Sequence, residues 1–217
     1  RHGYQKGKAQ EKMAEDFRDV CGDGADWNPL SERGLVLAFH GTDLSVVHGV
    51  VMRTRNLKPS VNPWDWIGHG VYFWEHSPAR AMEFAASSSK RKESRIKSPS
   101  VLGAVLNLGN CLDLTDYKNM SLLKESYYRV MANPAYRHLQ NKPVTNNGSE
   151  LLIRELDCQV LEELHRTRQS LGKSPFDSVK AAFWEGNLLY PNAGFREKNH
   201  IQICVRNPNC IKGFFIP

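Results

Sequence analysis

Two short glycine-containing stretches of this chain carry the residue types of a ligand site. The first, Phe39 to Thr42 (FHGT), places an imidazole, a bare backbone and a hydroxyl together at the end of an apolar run. The second, Gly68 to Phe73 (GHGVYF), lets the backbone approach a ligand closely at its glycines. In a strand, Tyr72 then faces away from its two apolar neighbours. The pair predicts a site in which one flat aromatic side chain faces the ligand.

Neighbouring elements must hold these stretches in place. The apolar run Leu35 to Phe39 predicts a buried strand, and Ser77 followed by Pro78 predicts a helix start just after the second stretch. His200 to Arg206 alternates as a strand does, with His200, Gln202 and Cys204 on one face. A long irregular loop, residues 186–199, leads into that strand, and loops of this kind are usually either functional or disordered.

The order of elements predicts an α+β fold, because helices are mixed with short strands that do not follow a βαβ repeat. A length of 217 residues allows one domain with a substantial core. Residues 1–33 are predicted to be an N-terminal helical appendage, with a helix from Ala9 to Cys21. Residues 34–217 are predicted to be the main domain, which carries the site.

The charge of the chain is compatible with a polyanionic partner. The sequence has a formal net charge of +6 and a pI near 9.1, which favours attraction to nucleic acid but says nothing of the fold. Positive charge is most concentrated from Lys90 to Lys97, where serines separate five basic residues. A solvated loop explains that segment as well as a phosphate-binding one does.

The cysteines and the hydropathy indicate a reduced, cytoplasmic setting. Five cysteines, an odd number without C-x-x-C spacing, predict neither a disulfide framework nor a zinc site. No run of eighteen apolar residues and no signal-peptide pattern is visible, so neither a membrane span nor a leader is expected. The cysteines are Cys21, Cys111, Cys158, Cys204 and Cys210.

Each glycine-containing stretch alone is equally typical of a buried histidine or of a turn before a strand. Together, and followed by Ser77-Pro78, they resemble the ADP-ribosyltransferase superfamily, in particular the His-Tyr branch that includes the poly(ADP-ribose) polymerases, and not the Arg-Ser branch of the cholera-toxin type. The resemblance covers about residues 35–216. It implies a split β-sheet sandwich with flanking helices that clasps the nicotinamide half of NAD, with NAD as co-substrate and no metal.

The resemblance also implies roles for individual residues. His40 would bond the ribose nearest the nicotinamide, the backbone of Gly41 would hold the nicotinamide amide, and Thr42 would add a ribose or amide contact. Tyr72 would stack on the nicotinamide ring, and Gly70 would leave room for it.

One position departs from the family pattern. The family has a Glu near the start of a late strand, where it bonds the nicotinamide ribose, but this strand offers Gln202. A neutral amide can bond a hydroxyl but cannot stabilise a cationic sugar by charge. Glu185 is the expected source of the carboxylate, with Glu75 and Glu197 as further candidates. A solvent-exposed charge at a strand end explains Glu185 equally well.

The predicted function is an NAD-dependent mono-ADP-ribosyltransferase of bacterial toxin or anti-phage type that modifies RNA or DNA, with an antitoxin or immunity protein as a possible partner. A protein acceptor is one alternative. A non-catalytic nucleic-acid binding module on a degenerate transferase fold is another, because the strand Glu is absent.

Overall fold

The computed structural model describes residues 34–144 and 150–217. The predicted helix from Ala9 to Cys21, the proposed appendage and Cys21 lie outside the described residues. Strands and helices alternate irregularly along the described chain, which confirms the α+β class. In chain order they are β1 (Val36–Asp43), α1 (Leu44–Val51), β2 (Val71–Glu75), α2 (Pro78–Ser89), β3 (Pro99–Leu106), β4 (Cys111–Asp113), α3 (Met120–Ala132), β5 (Asn141–Lys142), β6 (Ile153–Arg154), α4 (Glu155–Ser170), β7 (Ser178–Phe183), β8 (His200–Val205) and β9 (Ile211–Phe215).

One seven-stranded sheet organises the fold, in the order β4-β7-β8-β2-β1-β3-β9. Its pairs are antiparallel except for β4 with β7. The pairing of β1 with β2 is short, since only Ala38 with Glu75 and Phe39 with Trp74 are in register. We call this narrow join the seam. The resemblance implies a split β-sheet sandwich, and in the structure two groups of strands are joined into one sheet through the seam.

Strand β1 continues past the predicted turn. The sequence places the strand end at Phe39, but pairing with β3 runs on to Asp43 opposite Pro99, so that prediction is wrong by four residues. The Asp43 carboxylate accepts hydrogen bonds from the backbone N–H groups of Ser45, Lys97 and Ser98, which hold its pKa well below the ordinary range. It thereby starts α1 and ties the chain before β3 to the end of β1.

Both faces of the sheet are buried. On β8, Ile203 and Val205 pack with Phe73 of β2 in one cluster, while Cys204 packs in another with side chains of α4 and β7. Since helices cover both faces, the predicted alternation of β8 separates two cores and not a core from solvent. His200 and Gln202 are therefore buried.

Helix α2 packs closely on β1 because Gly41 has no side chain. A Cβ at Gly41 would collide with the backbone carbonyl of Ala81 in α2. Ser77 caps this helix by accepting from the Arg80 N–H, with Pro78 in its first turn, as the sequence predicts. The close packing brings α2 to the strand that carries His40.

Two further predictions concern the setting of the protein. No helix in residues 34–144 and 150–217 is long and apolar enough to cross a membrane. Within the same residues no group of three His, Cys, Asp or Glu side chains is placed to hold a metal ion. Four described cysteines are buried, and three of them are free thiols, Cys158, Cys204 and Cys210; the fourth is Cys111.

Candidate active site

His40 and Tyr72 meet across the seam. Nδ1 of His40 lies 2.7 Å from the Tyr72 carbonyl oxygen. A carbonyl can only accept, so Nδ1 carries the proton and Nε2 keeps its lone pair. Burial lowers the pKa of His40, so the ring is neutral at pH 7. Such an imidazole can accept a hydrogen bond from a ligand hydroxyl at Nε2.

The Tyr72 side chain is fixed at both ends. Its phenol oxygen donates to the Gly68 carbonyl at 2.7 Å and accepts from the Ile67 N–H at 3.0 Å. Burial raises the pKa of Tyr72 far above its ordinary value, so the phenol stays neutral. The ring packs against the cluster that contains Ile67 and Cys204. A ring held in this way is preorganised for stacking and is of no use as an acid.

The two glycines of the predicted site serve the packing of the protein itself. The space beside Gly41 is taken by α2. A Cβ at Gly70 would lie 2.5 Å from Sγ of Cys204 and 2.6 Å from the Val205 carbonyl oxygen. The expectation that Gly70 leaves room for a ligand is therefore corrected, because β8 fills that room. Thr42 is buried two residues after His40, on the same side of β1.

Glu185 is the predicted carboxylate that lies beside β8. Its Oε2 is 2.8 Å from Nη2 of Arg80 and 4.0 Å from Nδ1 of His200. The side chain is only 20% exposed, which argues against a solvated strand-end charge. Glu185 and His200 therefore form one group of charged and titratable side chains, together with Arg80.

The other two carboxylates are engaged elsewhere. Glu75 forms a buried ion pair with Lys180, with 2.7 Å between Oε2 and Nζ. Glu197 is exposed and accepts from the backbone N–H of Asn187, at 3.3 Å, within the loop before β8. Of the three candidates, Glu185 is the one whose carboxylate lies beside His200 at the start of β8.

Gln202 lies in the middle of the sheet. Its cross-strand neighbours are Trp74 of β2 and Ala181 of β7, and it is buried. No hydrogen bond joins its side-chain amide to the part of the chain that the structure describes. The first residue of β8 is His200, so the position at the start of the strand belongs to a histidine and not to Gln202.

Sequence reasoning missed Arg80 and Trp74. The Arg80 guanidinium carbon lies 6.0 Å from the centre of the Trp74 ring, and Arg80 also pairs with Glu83 at 2.6 Å. The Ser77-Pro78 helix start places residue 80 in the first turn of α2, close to the end of β2. This position could have been predicted from the helix start. The pairing of Arg80 with Glu185 could not, because Glu185 lies 105 residues further along the chain.

Two cavities lie beside these residues. One, of about 610 Å³, is bounded by α3, α4 and the end of β7, and Arg154 stacks there between Trp66 and Phe183 at 4.3 and 4.9 Å. The other, of about 540 Å³, is lined by polar side chains of α4 and by His69. Neither cavity is lined by His40, Tyr72, Gln202 or Glu185.

Comparison with known proteins decides the family. The sequence profile of the poly(ADP-ribose) polymerase catalytic domain matches residues 5–171. The chain belongs to this family. Poly(ADP-ribose) polymerase catalytic domains are ADP-ribosyltransferases that use NAD as their substrate. The matched range contains His40 and Tyr72 and ends before β7, so Glu185, His200 and Gln202 lie beyond it.

One curated relative is an uncharacterized protein, MJ0359, of Methanocaldococcus jannaschii. It is 23% identical over 196 residues, which cover 80% of this chain and 83% of the relative. No solved structure matches the chain.

Proposed function

We propose that this chain is an NAD-dependent mono-ADP-ribosyltransferase of the His-Tyr branch that modifies a nucleic acid. The observation that carries the proposal is the 2.7 Å contact between Nδ1 of His40 and the Tyr72 carbonyl. It brings together the two residues whose order resembles that branch, and family membership supplies NAD as the substrate.

The residues fit the cleavage of an N-glycosidic bond. As the bond between the ribose and nicotinamide breaks, its electron pair leaves with nicotinamide and the sugar becomes cationic. Nε2 of His40 is proposed to hold a ribose hydroxyl, and Tyr72 to stack on the nicotinamide. The Glu185 carboxylate is proposed to stabilise the cation, and interactions of this kind are worth most in a closed site.

A nucleic-acid acceptor is supported by the basic segment Lys90 to Lys97. Its five cations are exposed, and none forms an ion pair with another described residue. The backbone N–H groups of Lys97 and Ser98 bind the Asp43 carboxylate at 2.8 Å, three residues past His40. Unpaired cations tethered to the end of β1 are suited to hold phosphates near the reacting sugar.

We further propose a bacterial toxin or anti-phage role, with an antitoxin or immunity protein as inhibitor. Its support is the resemblance to transferases of that type. A host would need such an inhibitor, because uncontrolled NAD cleavage drains the cell.

A protein acceptor is the second candidate. The loop between β7 and β8 exposes a group of large apolar side chains, which is typical of a protein-binding surface. They are Leu188, Leu189, Tyr190 and Phe195.

The test is the release of nicotinamide from NAD by the purified protein, alone and with RNA, DNA or cell lysate. Labelled NAD then shows which fraction of the lysate is modified, and digestion with nuclease or protease separates the two acceptor classes. Tyr72→Ala is the inactive reference. If the protein binds RNA or DNA but never releases nicotinamide, the transferase proposal is wrong and the non-catalytic binding module takes its place.

A further inference from the structure

Within residues 34–144 and 150–217, three buried nitrogen atoms near the start of β8 have no hydrogen-bond partner. They are Nε1 of Trp74, Nε of Arg80 and Nε2 of His200. The Trp74 and His200 rings are 6.5 Å apart between centres, and Arg80 lies over the same Trp74 ring. A buried polar atom without a partner costs about 1–3 kcal/mol, so such atoms are rare. Three in one place point to a ligand group that completes them.

The tautomer of His200 is set by the backbone. Nδ1 lies 2.6 Å from the Lys198 carbonyl oxygen, which can only accept. Nδ1 therefore carries the proton, and the unpartnered Nε2 presents a lone pair. This nitrogen can take a proton from a ligand but has none to give.

Charged groups around His200 determine what happens once it is protonated. Burial lowers its pKa, with smaller contributions from the cations Arg80 and Arg154, while the Lys198 carbonyl and the Glu185 carboxylate raise it. The ring is thus neutral at pH 7. A proton gained at Nε2 creates an imidazolium with Glu185 only 4.0 Å from Nδ1.

We propose that His200 is the general base that takes the proton from the attacking hydroxyl or amine of the acceptor, and that Glu185 is a positioning residue that stabilises the resulting imidazolium. This rests on the proposed function. The C1–nitrogen bond breaks with its electron pair going to nicotinamide, and the acceptor oxygen or nitrogen forms the new bond to C1. The acceptor proton moves to Nε2 and then to water. Gln202 cannot take this role, because an amide does not accept a proton at pH 7.

The acceptor reaches Nε2 only if the covering structure moves, since the His200 side chain is 1% exposed. The loop that ends at His200 is held to α2 by two ion pairs, Arg80 with Glu185 and Lys198 with Glu83 at 2.5 Å. The second pair is well exposed, and exposed pairs contribute about 0–1 kcal/mol. Opening this loop therefore breaks one exposed pair, which costs little, and one largely buried pair, whose contacts the bound acceptor must replace.

Two substitutions of His200 separate its two nitrogens. His200→Asn keeps a donor near Nδ1 for the Lys198 carbonyl but lacks Nε2. His200→Gln has an amide near the Nε2 position that cannot act as a base. His165→Asn is the matched control, because His165 is also buried with an unpartnered Nε2, and burial lowers its pKa to about 4. Its ring packs on Phe176, outside the β8 group.

The expected result is a loss of about 10²- to 10⁴-fold in ADP-ribose transfer for both His200 variants, with unchanged NAD affinity. The transfer rate of the parent should rise with pH along an acid limb centred below pH 6.5, the ordinary value for histidine. His200→Asn should lose that limb, and added imidazole should restore part of the rate. His165→Asn should keep both the limb and the rate.

Glu185→Gln supplies a second readout that a purely structural role would not move. Without the carboxylate the pKa of His200 falls further, so the acid limb should shift to lower pH. If His200→Asn folds, an unchanged acid limb of its pH–rate profile or a full transfer rate overturns the proposal. If His200→Asn fails to fold, the proposal is overturned when the acid limb of Glu185→Gln lies at the same pH as that of the parent. If the parent itself never releases nicotinamide, the proposed function fails as well, and that outcome is distinct.

Discussion

Two buried histidines, His40 and His200, show the same local chemistry in different settings. Each is neutral because burial lowers its pKa, and each donates from Nδ1 to a backbone carbonyl. His40 bonds across the seam to Tyr72, 32 residues away, whereas His200 bonds to Lys198, two residues away. The His40 hydrogen bond is therefore a tertiary contact, whereas the His200 hydrogen bond is local, although the His200 ring also packs against Phe183 and Trp74.

The difference suggests how the work is divided between them. A ring pinned between two strands holds its Nε2 in one place, which suits the binding of a ribose that must not move. A ring at the first residue of β8 lies where the β7–β8 loop joins the sheet, which suits a base that the acceptor reaches only after that loop has moved.

The largest expected effect comes from His40. His40→Ala removes both the cross-seam bond and Nε2, so turnover should fall by about 10² to 10³ or more, as for loss of a preorganised contact. The unfolding free energy should fall by about 1–3 kcal/mol, because the buried Tyr72 carbonyl loses its donor. Nicotinamide release and urea unfolding measure the two effects.

His40→Asn is the control for that change. Its amide can still donate to the Tyr72 carbonyl, so stability should stay near that of the parent while turnover is lost. An active His40→Asn variant would show that Nε2 is not used, and the contrast with His200 would disappear.

A smaller effect is expected at Gln202, which lies on the same face of β8 as His200. Gln202→Ala should lower kcat/KM about tenfold, the size of one neutral hydrogen bond. Gln202→Glu should bring no gain if the charge is supplied by Glu185. A clear gain in kcat for Gln202→Glu would instead assign the charge role to the strand and mark the parent as a weakened transferase.

Because His40, His165 and His200 are neutral in the folded protein, the unfolding free energy should depend on pH. Unfolded histidines titrate near pH 6.5, whereas His40, His165 and His200 have lowered pKa values in the folded protein. The unfolded chain thus binds more protons below pH 6.5, and stability is lost as the pH falls toward the folded values. We expect a loss of roughly 2 kcal/mol between pH 7 and 5 for each histidine that stays neutral in the folded protein, and His165 alone supplies about that much.

Urea unfolding at pH 7, 6 and 5 measures this loss, in a range where most carboxylates stay ionised. His165→Asn should reduce the slope without changing catalysis. If the unfolding free energy does not change from pH 7 to 5, water reaches these rings and burial does not hold the three histidines neutral.

The smallest effect on NAD cleavage is expected from the basic segment Lys90 to Lys97, because its proposed role is to bind the acceptor and not to cleave NAD. Changing Lys90, Arg91 and Lys92 to Gln should reduce the salt dependence of nucleic-acid binding by up to about three units of slope. Basal NAD hydrolysis should not change. Both quantities are measured over a salt series.

The matched control changes three other exposed cations, Arg53, Arg55 and Lys58, to Gln. It removes the same net charge and should leave the slope nearly unaltered. If the slope of binding against salt falls equally in the Lys90 and Arg53 triple variants, the segment Lys90 to Lys97 is not a defined phosphate site. A loss of NAD affinity in the Lys90 variant would assign the segment to the dinucleotide instead.

Features that depend on neighbours in sequence were predictable. The Ser77-Pro78 helix start and the alternation of β8 follow from local periodicity and capping, and both are found. These features need no knowledge of strand register.

Features that depend on strand register were not predictable. Glu185 and Glu75 are each paired with a cation 105 residues away, Arg80 and Lys180, and only the folded structure shows that Glu185 is the carboxylate beside His200. The sequence suggested that Gly70 contacts a ligand, and only the position of β8 shows that Gly70 packs against Cys204 and Val205. The unpartnered Nε2 of His200 is visible only once every possible donor and acceptor around it is placed.

The seam bears on how the chain folds. The strands on its two sides alternate along the sequence, since the chain passes across it between β1 and β2, β2 and β3, β3 and β4, and again between β8 and β9. Neither side of the sheet is a continuous segment, so the two sides must assemble together through contacts between distant residues, and such topologies fold slowly. During synthesis, His40 and Tyr72 emerge long before His200, and the nascent protein has no complete site until β8 is made. On the proposed function, NAD cleavage would therefore begin only after β8 has been synthesised and has joined the sheet.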